Sequence, residues 1–457
     1  MKRLIPLLLL LAAGCATGPD YKRPEIAAPE SWRTAESATN SMGTWAWTEL
    51  YRDPVLTNLI ATALTNNKDL QMAAARVEEA LGSAGIQRAA FFPALNGSAD
   101  YSTARAGNIP PLPGAEADQY NVFGQLSYEL DIWGRVRRLN ESARAQLLAS
   151  EEGRKAVELG LVSSVASSYF NLRALDRQLE IARSTLTSRS NALELTRIKF
   201  NDGQGIVSEL DVAQAQTQVA SAQSAIASLQ RQVALSENAL SLLLGSNPIE
   251  IPRGQALAEQ WQPDALPAGL PSDLLLRRPD VRSAEQQLVA ANANIGVARA
   301  AYFPAISLTG ALGFQSDDLG DLFDAGLSKA WSFTPSITAP IFQAGRIRAG
   351  VRVAEAKRKG ALASYEKAIQ TAFREVDDAL VSIARIREQL VADEAVVTAE
   401  QRRLELSTLR YEGGVASYSD VLDAQRYLFS AELTAVQTRN ALLAATVQLY
   451  KALGGGW

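Results

Sequence analysis

The sequence predicts an α plus membrane β-barrel protein: four membrane strands per chain, long coiled-coil helices and an internal duplication. Three observations predict it. Two long stretches lack proline, the same landmarks occur twice at a near-constant offset, and each copy contains two segments of period two.

No proline occurs between Pro113 and Pro248, or after Pro340. Both stretches are rich in Ala, Leu, Gln, Arg and Glu, and proline would break a helix interior. Helices are therefore expected over 134–200, 207–245, 345–410 and 418–452, with leading helices over 55–90 and 272–301. Runs of this length imply coiled-coil packing. Val212, Val219, Ile226, Val233 and Leu240 recur every seven residues, as do Val421, Leu428, Ala435, Leu442 and Leu449. Strict sevens impose a left-handed supercoil.

The duplication is legible in six landmarks. AAFFPA at 89–94 returns as AAYFPA at 300–305, and Gly134-Arg135-Val136-Arg137 as Gly345-Arg346-Ile347-Arg348. Phe200 matches Tyr411 at the same offset. Asp211-Val212 then matches Asp420-Val421, Ala215-Gln216 matches Ala424-Gln425 and Leu244-Gly245 matches Leu453-Gly454, all two residues closer. The copies thus differ in length near Gly203–Gly205, where a turn is expected. Four segments follow: 1–14 as a signal, 15–48 as an extended N-terminal stretch, and repeats over 49–257 and 258–457.

Strands are expected over 92–105, 119–133, 303–316 and 331–343. In the second, Val122, Gly124, Leu126 and Tyr128 alternate with polar residues; in the third, Ile306, Leu308, Leu312 and Phe314 do so. About ten residues suffice to cross a bilayer as a tilted strand. A soluble sheet with one wet face is the competing reading, disfavoured by the long Gly-, Pro- and Asp-rich connections at 104–118 and 316–330. Four strands cannot close a barrel, and open edges are not tolerated in lipid. The chain must therefore oligomerise, two copies giving eight strands and three giving twelve.

The N-terminus, MKRLIPLLLLLAAGC, has a basic head, a short apolar run and small residues before the one cysteine, Cys15. This is the layout of a secretory signal, too short to span a bilayer. Leu-Ala-Ala-Gly-Cys resembles the bacterial lipoprotein box, which implies N-palmitoyl and S-diacylglycerol groups on Cys15. Ala16, where an inner-membrane protein of this kind would carry aspartate, points to the outer membrane.

One cysteine excludes an intrachain disulfide, and the absence of histidine excludes His-based triads and His metal sites. No glycine-rich phosphate loop is followed by lysine. With a net charge of −4, nucleic-acid binding is not expected. No catalytic residue, cofactor or metal is expected.

Three stretches carry a resemblance: CATGPDYKRPE at 15–25, LLLRRPDVRSAEQQLVAANANIGVARAAYFPAISLTG at 274–310 and LRYEGGVASYSDVLDAQRYLFSAEL at 409–433. They resemble the outer-membrane channels of tripartite efflux pumps, the TolC/OprM group, and within it the NodT-like lipoproteins. The resemblance implies a homotrimer with a twelve-stranded barrel continued by a helical periplasmic tunnel. It also implies a passive duct for drugs or other toxic compounds, worked with a periplasmic adaptor and an inner-membrane RND-type transporter. A barrel-anchored spacer and a type I secretion-type duct are the alternatives. The implied gate comprises Asp420, Asp423, Asp211 and Tyr411; Ala416 replaces an arginine that joins the latch in some members. Caps or dipole partners are the competing reading of aspartates near a helix start. Gly203, Gly205, Gly413, Gly414 and Val415 mark the tips where the adaptor would dock. Arg135, Arg137, Arg138, Arg346, Arg348 and Arg352 are expected either at lipid phosphates or in solvent. Trp133, Tyr302, Phe303 and Phe342 are expected in an interfacial girdle or in a core.

Overall fold

The computed structural model describes residues 17–26, 29, 31–33, 41–105, 116–202, 207–260, 267–269 and 271–455. Cys15, Gly203 and Gly205 lie outside the described residues. After a 3-10 turn at Met42–Thr44 and a one-turn helix at Trp47–Leu50 come α1 (Pro54–Asn66), α2 (Lys68–Ala89), β1 (Ala94–Arg105) and β2 (Glu116–Glu129). The long helices α3 (Arg135–Asn201) and α4 (Glu209–Leu243) complete the first copy. The second copy runs α5 (Pro271–Arg277), α6 (Pro279–Ala300), β3 (Ala305–Ser316), β4 (Lys329–Thr338), α7 (Arg346–Glu412) and α8 (Tyr418–Ala452). The duplication is visible as equal lengths: α3 and α7 each have 67 residues, α4 and α8 each 35. The two-residue length difference falls between α3 and α4.

The chain divides into two units: residues 1–26, 75–151 and 283–367, and residues 27–74, 152–282 and 368–457. The first contains the four-stranded antiparallel sheet, in order β1-β2-β3-β4. Its register puts Leu95, Leu126, Gly310 and Phe333 on one face, joined two residues on by Leu312 and Trp331. The other face carries Gln125, Ser127, Thr309, Ser336 and Ser332, with Ser307 Oγ and Ser336 Oγ 2.7 Å apart. Leu95, Leu126, Leu312, Trp331, Phe333 and Ile337 are all exposed within the single chain. A soluble sheet would bury such a face; an apolar outer face with a polar inner one is the pattern of a membrane barrel. Pro335 sits in β4, an edge strand, where the missing N–H is tolerated.

Two strands stop short of expectation. β2 ends at Glu129, because Asp131 turns to cap α3, accepting from Val136 N and Arg137 N at 2.8 Å each. β4 ends before Pro340, leaving Ile341 and Phe342 exposed outside it. Trp133 stacks on Phe303 with centroids 4.6 Å apart and donates Nε1–H to the Pro304 carbonyl at 2.8 Å. Of the arginine cluster, Arg137, Arg346, Arg348 and Arg352 are exposed, Arg135 is half-buried and Arg138 is buried. Arg135 pairs with Glu129, Arg137 with Asp131, and buried Arg138 with Asp20 and Glu141 at 2.7 Å each. Burial removes Arg138 from the set expected at lipid phosphates or in solvent.

The second unit holds the helical core. Of the seven-residue seams, Val421, Leu442 and Leu449 of α8 and Leu240 of α4 are buried, whereas Val212, Val219, Ile226, Val233, Leu428 and Ala435 are half-buried within the single chain. The buried line of α4 runs instead through Ala215, Ala222 and Leu229. Leu229 packs with Leu175, Leu179 and Ala182 of α3. Both leading helices, expected as single runs, are broken. Asn67, in an extended conformation, interrupts 55–90. Its side chain accepts from Leu70 N at 3.0 Å, capping α2, and donates to the Leu243 carbonyl at 2.9 Å, satisfying the end of α4. The run 272–301 breaks before Pro279, whose ring disfavours helix at the preceding residue.

That residue, Arg278, is buried. It donates to the Ala452 carbonyl at 3.0 Å and pairs with Asp280 and Glu375 at 2.7 Å each. Burial of Asp280 opposes its ionisation, but Arg278 outweighs it and holds the carboxyl below its ordinary 3.8. A depressed carboxylate stabilises the fold above its unfolded pKa and loses that contribution as pH falls through the folded value. Melting temperatures of the detergent-solubilised protein, followed downward from pH 5, should therefore fall less steeply below about pH 4 in Asp280→Asn than in the parent.

Candidate functional site

The gate and tip residues that the structure describes all lie in the second unit, around the ends of α3 and α7 and the starts of α4 and α8. Each start is a box built from Ser and Asp three apart. Asp211 Oδ2 accepts from Ser208 N at 2.8 Å and from Ser208 Oγ at 2.7 Å, while Asp211 N donates back to Ser208 Oγ at 3.3 Å. In the second copy Asp420 Oδ2 accepts from Ser417 N at 3.2 Å. Both aspartates satisfy orphan N–H groups at a helix start and sit at the positive end of its dipole. The capping reading is therefore realised for both. It leaves Asp420 exposed, so capping and a role in a lumen are compatible in geometry.

Asp423, one turn on, is also exposed and pairs with Arg426 at 3.0 Å. Arg426 was not singled out in the sequence. Its signal was available, since an acid–base pair three apart on a helix is a routine contact. Arg426 and Arg403 both lie over the Tyr427 ring, 5.2 and 4.9 Å from its centroid.

Tyr411 joins the group from α7. Its ring lies 5.2 Å from that of Tyr418, and Lys199 Nζ sits 5.2 Å from the Tyr411 centroid. Burial, then Tyr418, then the charge of Asp211 push the Tyr411 hydroxyl upward, so it stays protonated and able to donate. Tyr418 is raised too, chiefly by burial. Tyr418, Val421 and Leu422 form a small core with Ala215, flanked by Leu193, Leu404 and Tyr411. This core binds all four helix ends together, and the sequence reading passed over it because its apolar residues come from distant segments.

The second tip turn ends α7. Gly413 N donates to the Leu409 carbonyl and Val415 N to the Arg410 carbonyl, both at 3.0 Å. Gly414 has φ +73°, a left-handed conformation that glycine closes at least cost. Gly413, Gly414 and Val415 are all exposed, with nothing within 4 Å of a Cβ built on Gly414. Turn chemistry thus accounts for the second pair of glycines, and Val415 is an exposed apolar residue at the apex.

Among the described residues no group of histidine, cysteine or acidic residues is arranged to hold a metal ion. No helix of the described residues is long and apolar enough to cross a membrane.

The chain matches the family described as Outer membrane efflux protein twice, over residues 59–246 and 270–455, in step with its two copies. It is 43% identical to the toluene efflux pump outer membrane protein TtgI of Pseudomonas putida, covering 100% of this chain and 98% of that protein. It is 38% identical to the cation efflux system protein CusC of Escherichia coli, over 100% and 99%. The crystal structure of the open state of the MtrE outer membrane channel of Neisseria gonorrhoeae superposes with a TM-score of 0.87 at 35% identity, covering 97% of this chain and 98% of that one. The structural neighbours are trimeric outer-membrane channels. With four exposed strands per chain, two helical copies and relatives matched end to end, this chain belongs to the outer membrane efflux protein family.

Proposed function

We propose that this trimeric outer-membrane efflux duct is closed at its helical tip by the carboxylates of Asp420 and Asp423, with Asp211 and Tyr411 as partners. Family membership carries the duct itself: a passive channel and efflux-pump component that spans the outer membrane of a Gram-negative bacterium and reaches into the periplasm. The proposal concerns what closes it, what docks on it and what anchors it.

One observation carries the gate reading. Asp420 and Asp423 are exposed on the first turns of α8, although the adjoining Tyr418, Val421 and Leu422 are buried. Threefold symmetry multiplies each exposed carboxylate by three, and such a ring favours cations. Arg426 partly offsets Asp423, so the ring would be tempered by its own cations. The test uses asparagine, which keeps the cap while removing the charge. In planar bilayers, Asp420→Asn with Asp423→Asn should raise the conductance of the closed trimer and weaken its cation preference. Unchanged conductance and selectivity would remove the gate assignment.

The exposed turn at Gly413, Gly414 and Val415, with the sequence stretch that corresponds to it in the first copy at Gly203 and Gly205, is the proposed docking point for a periplasmic adaptor, itself coupled to an inner-membrane RND-type transporter. The exported compound belongs to the small toxic molecules, with drugs and solvents as the leading class. Acylation of Cys15 is proposed on its sequence context, Leu-Ala-Ala-Gly-Cys after a basic head and a short apolar run.

A further inference from the structure

We propose that Arg348 and Arg352, at the start of α7, seat the phosphate of an anionic phospholipid in the periplasm-facing leaflet of the outer membrane, once per chain and three times around the trimer. The two copies treat the same positions in opposite ways. In the first copy the arginines that follow the sheet are neutralised within the chain: Arg135 by Glu129, Arg137 by Asp131, and Arg138 by Asp20 and Glu141. At the offset of 211, Glu129 becomes Pro340, Asp131 becomes Phe342 and Glu141 becomes Arg352, while Arg346 and Arg348 are kept. The second copy has lost the acids and gained a cation.

No other acid of the described residues takes their place. Arg348 and Arg352 are exposed, and neither forms an ion pair among the described residues. Glu355 is the one acid between Pro340 and Tyr365, and it is spent on Arg299 at 3.0 Å. Arg346 turns to Gln343 Oε1, donating from Nε at 3.0 Å and Nη2 at 2.7 Å. Arg348 and Arg352 stand four apart on a helix, where like charges repel. An anion between them reverses that sign, and a phosphate accepts from both guanidinium forks.

The sheet tells which side of the wall they occupy. Glu129 is in register with Ser307, and Ser307 with Ser336, on the polar inner face. Arg135 reaches Glu129 and so lies toward the lumen. Arg346 holds the matching position in the second copy. At 3.6 residues per turn, Arg348 and Arg352 are rotated from it by about 200° and 240°, hence to the outer side. Between β4 and α7, Ile341 and Phe342 are 93% and 86% exposed, carrying exposed apolar surface from the sheet to the foot of this helix. Apolar side chains followed by paired arginines match a phospholipid, whose acyl chains and phosphate come in the same order. The assignment rests on the outer-membrane barrel and stands independently of the gate.

Native mass spectrometry of the full-length protein from detergent reads assembly and retained lipid together. The probes are dioleoyl phosphatidylglycerol and, as the zwitterionic comparison, dioleoyl phosphatidylcholine. The parent trimer should retain up to three phosphatidylglycerol molecules, in preference to phosphatidylcholine. Apparent affinity for phosphatidylglycerol should fall about fivefold in Arg352→Gln and about thirtyfold in Arg348→Gln with Arg352→Gln. Lysine at both positions should keep most of the binding. Arg137→Gln, in the neutralised copy, should bind as the parent does. If the double variant does not assemble, Arg352→Gln alone decides. Equal retention of both lipids, parent-like binding by the assembled glutamine variants, or an equal loss in Arg137→Gln would overturn the proposal.

Discussion

Asp53→Ala should be the most damaging single change in the helical unit, lowering the melting temperature by on the order of 10 °C. Asp53 is 1% exposed and caps α1, accepting from Val55 N at 2.9 Å. Its other oxygen accepts from Tyr169 Oη at 2.9 Å, Gln255 N at 3.0 Å and Gln260 Nε2 at 2.8 Å. Tyr169 in turn accepts from Gly254 N at 2.8 Å. One carboxylate thus ties α1, α3 and the segment that follows α4. Truncation strands several buried donors at once, a cost of about 3–5 kcal/mol. Leu56 and Ile60 of α1, both fully buried, depend on the placement this carboxylate fixes. Asp53→Asn keeps the acceptor oxygen but brings two protons into a site filled with donors, so it should fall between parent and alanine. Thermal unfolding monitored by circular dichroism checks the order. A parent-like Asp53→Ala protein would mean that the network is redundant.

The second large effect belongs to the sheet. Gly313 lies opposite Phe123 across the β2–β3 ladder. A Cβ at Gly313 would meet the Val122 carbonyl oxygen at 2.0 Å and Phe123 Cα at 2.7 Å. Both are backbone atoms of the neighbouring strand, which cannot swing aside as a side chain can. The aromatic ring of Phe123 occupies the space that the glycine leaves. Gly313→Ala should therefore force the two strands apart at the centre of the sheet, at about 3 kcal/mol. Because each chain supplies one third of the wall, the defect is repeated three times per barrel. The expected readout is loss of the trimer band on unheated SDS gels, while Gly97→Ala, with nothing within 4 Å, should leave that band intact.

Much of this architecture was legible in the sequence because period and length are local properties. The end of α8 at Ala452 and the end of α7 two residues past the expected 410 follow from proline absence and the repeated landmarks. Equal helix lengths in the two copies follow from the offsets 211 and 209. What the sequence hid was set partly by distant partners and partly by which of several local partners each side chain took. Asn67 breaks a helix by capping α2 through Leu70 N, a local signal, and its amide also satisfies the Leu243 carbonyl at the end of α4, which only the fold reveals. Asp131 ends β2 early by capping α3 instead of extending the ladder. Arg135, Arg137 and Arg138 looked alike as a basic cluster. Their fates are set by Glu129, Asp131, Asp20 and Glu141, of which Asp20 lies more than a hundred residues away. At the tip, the aspartates were legible as caps from their place near a helix start, whereas Tyr418 and its small core required the fold.

The central claim is that one chain supplies an incomplete wall and three complete a conducting pore. The most direct measurement combines native mass spectrometry of the detergent-solubilised protein with single-channel recording of the same preparation. A trimer that conducts, with conductance rising when Asp420 and Asp423 lose their charge, is the predicted result. A stable monomer, or a trimer that inserts into bilayers and passes no ions in any of these variants, would contradict it.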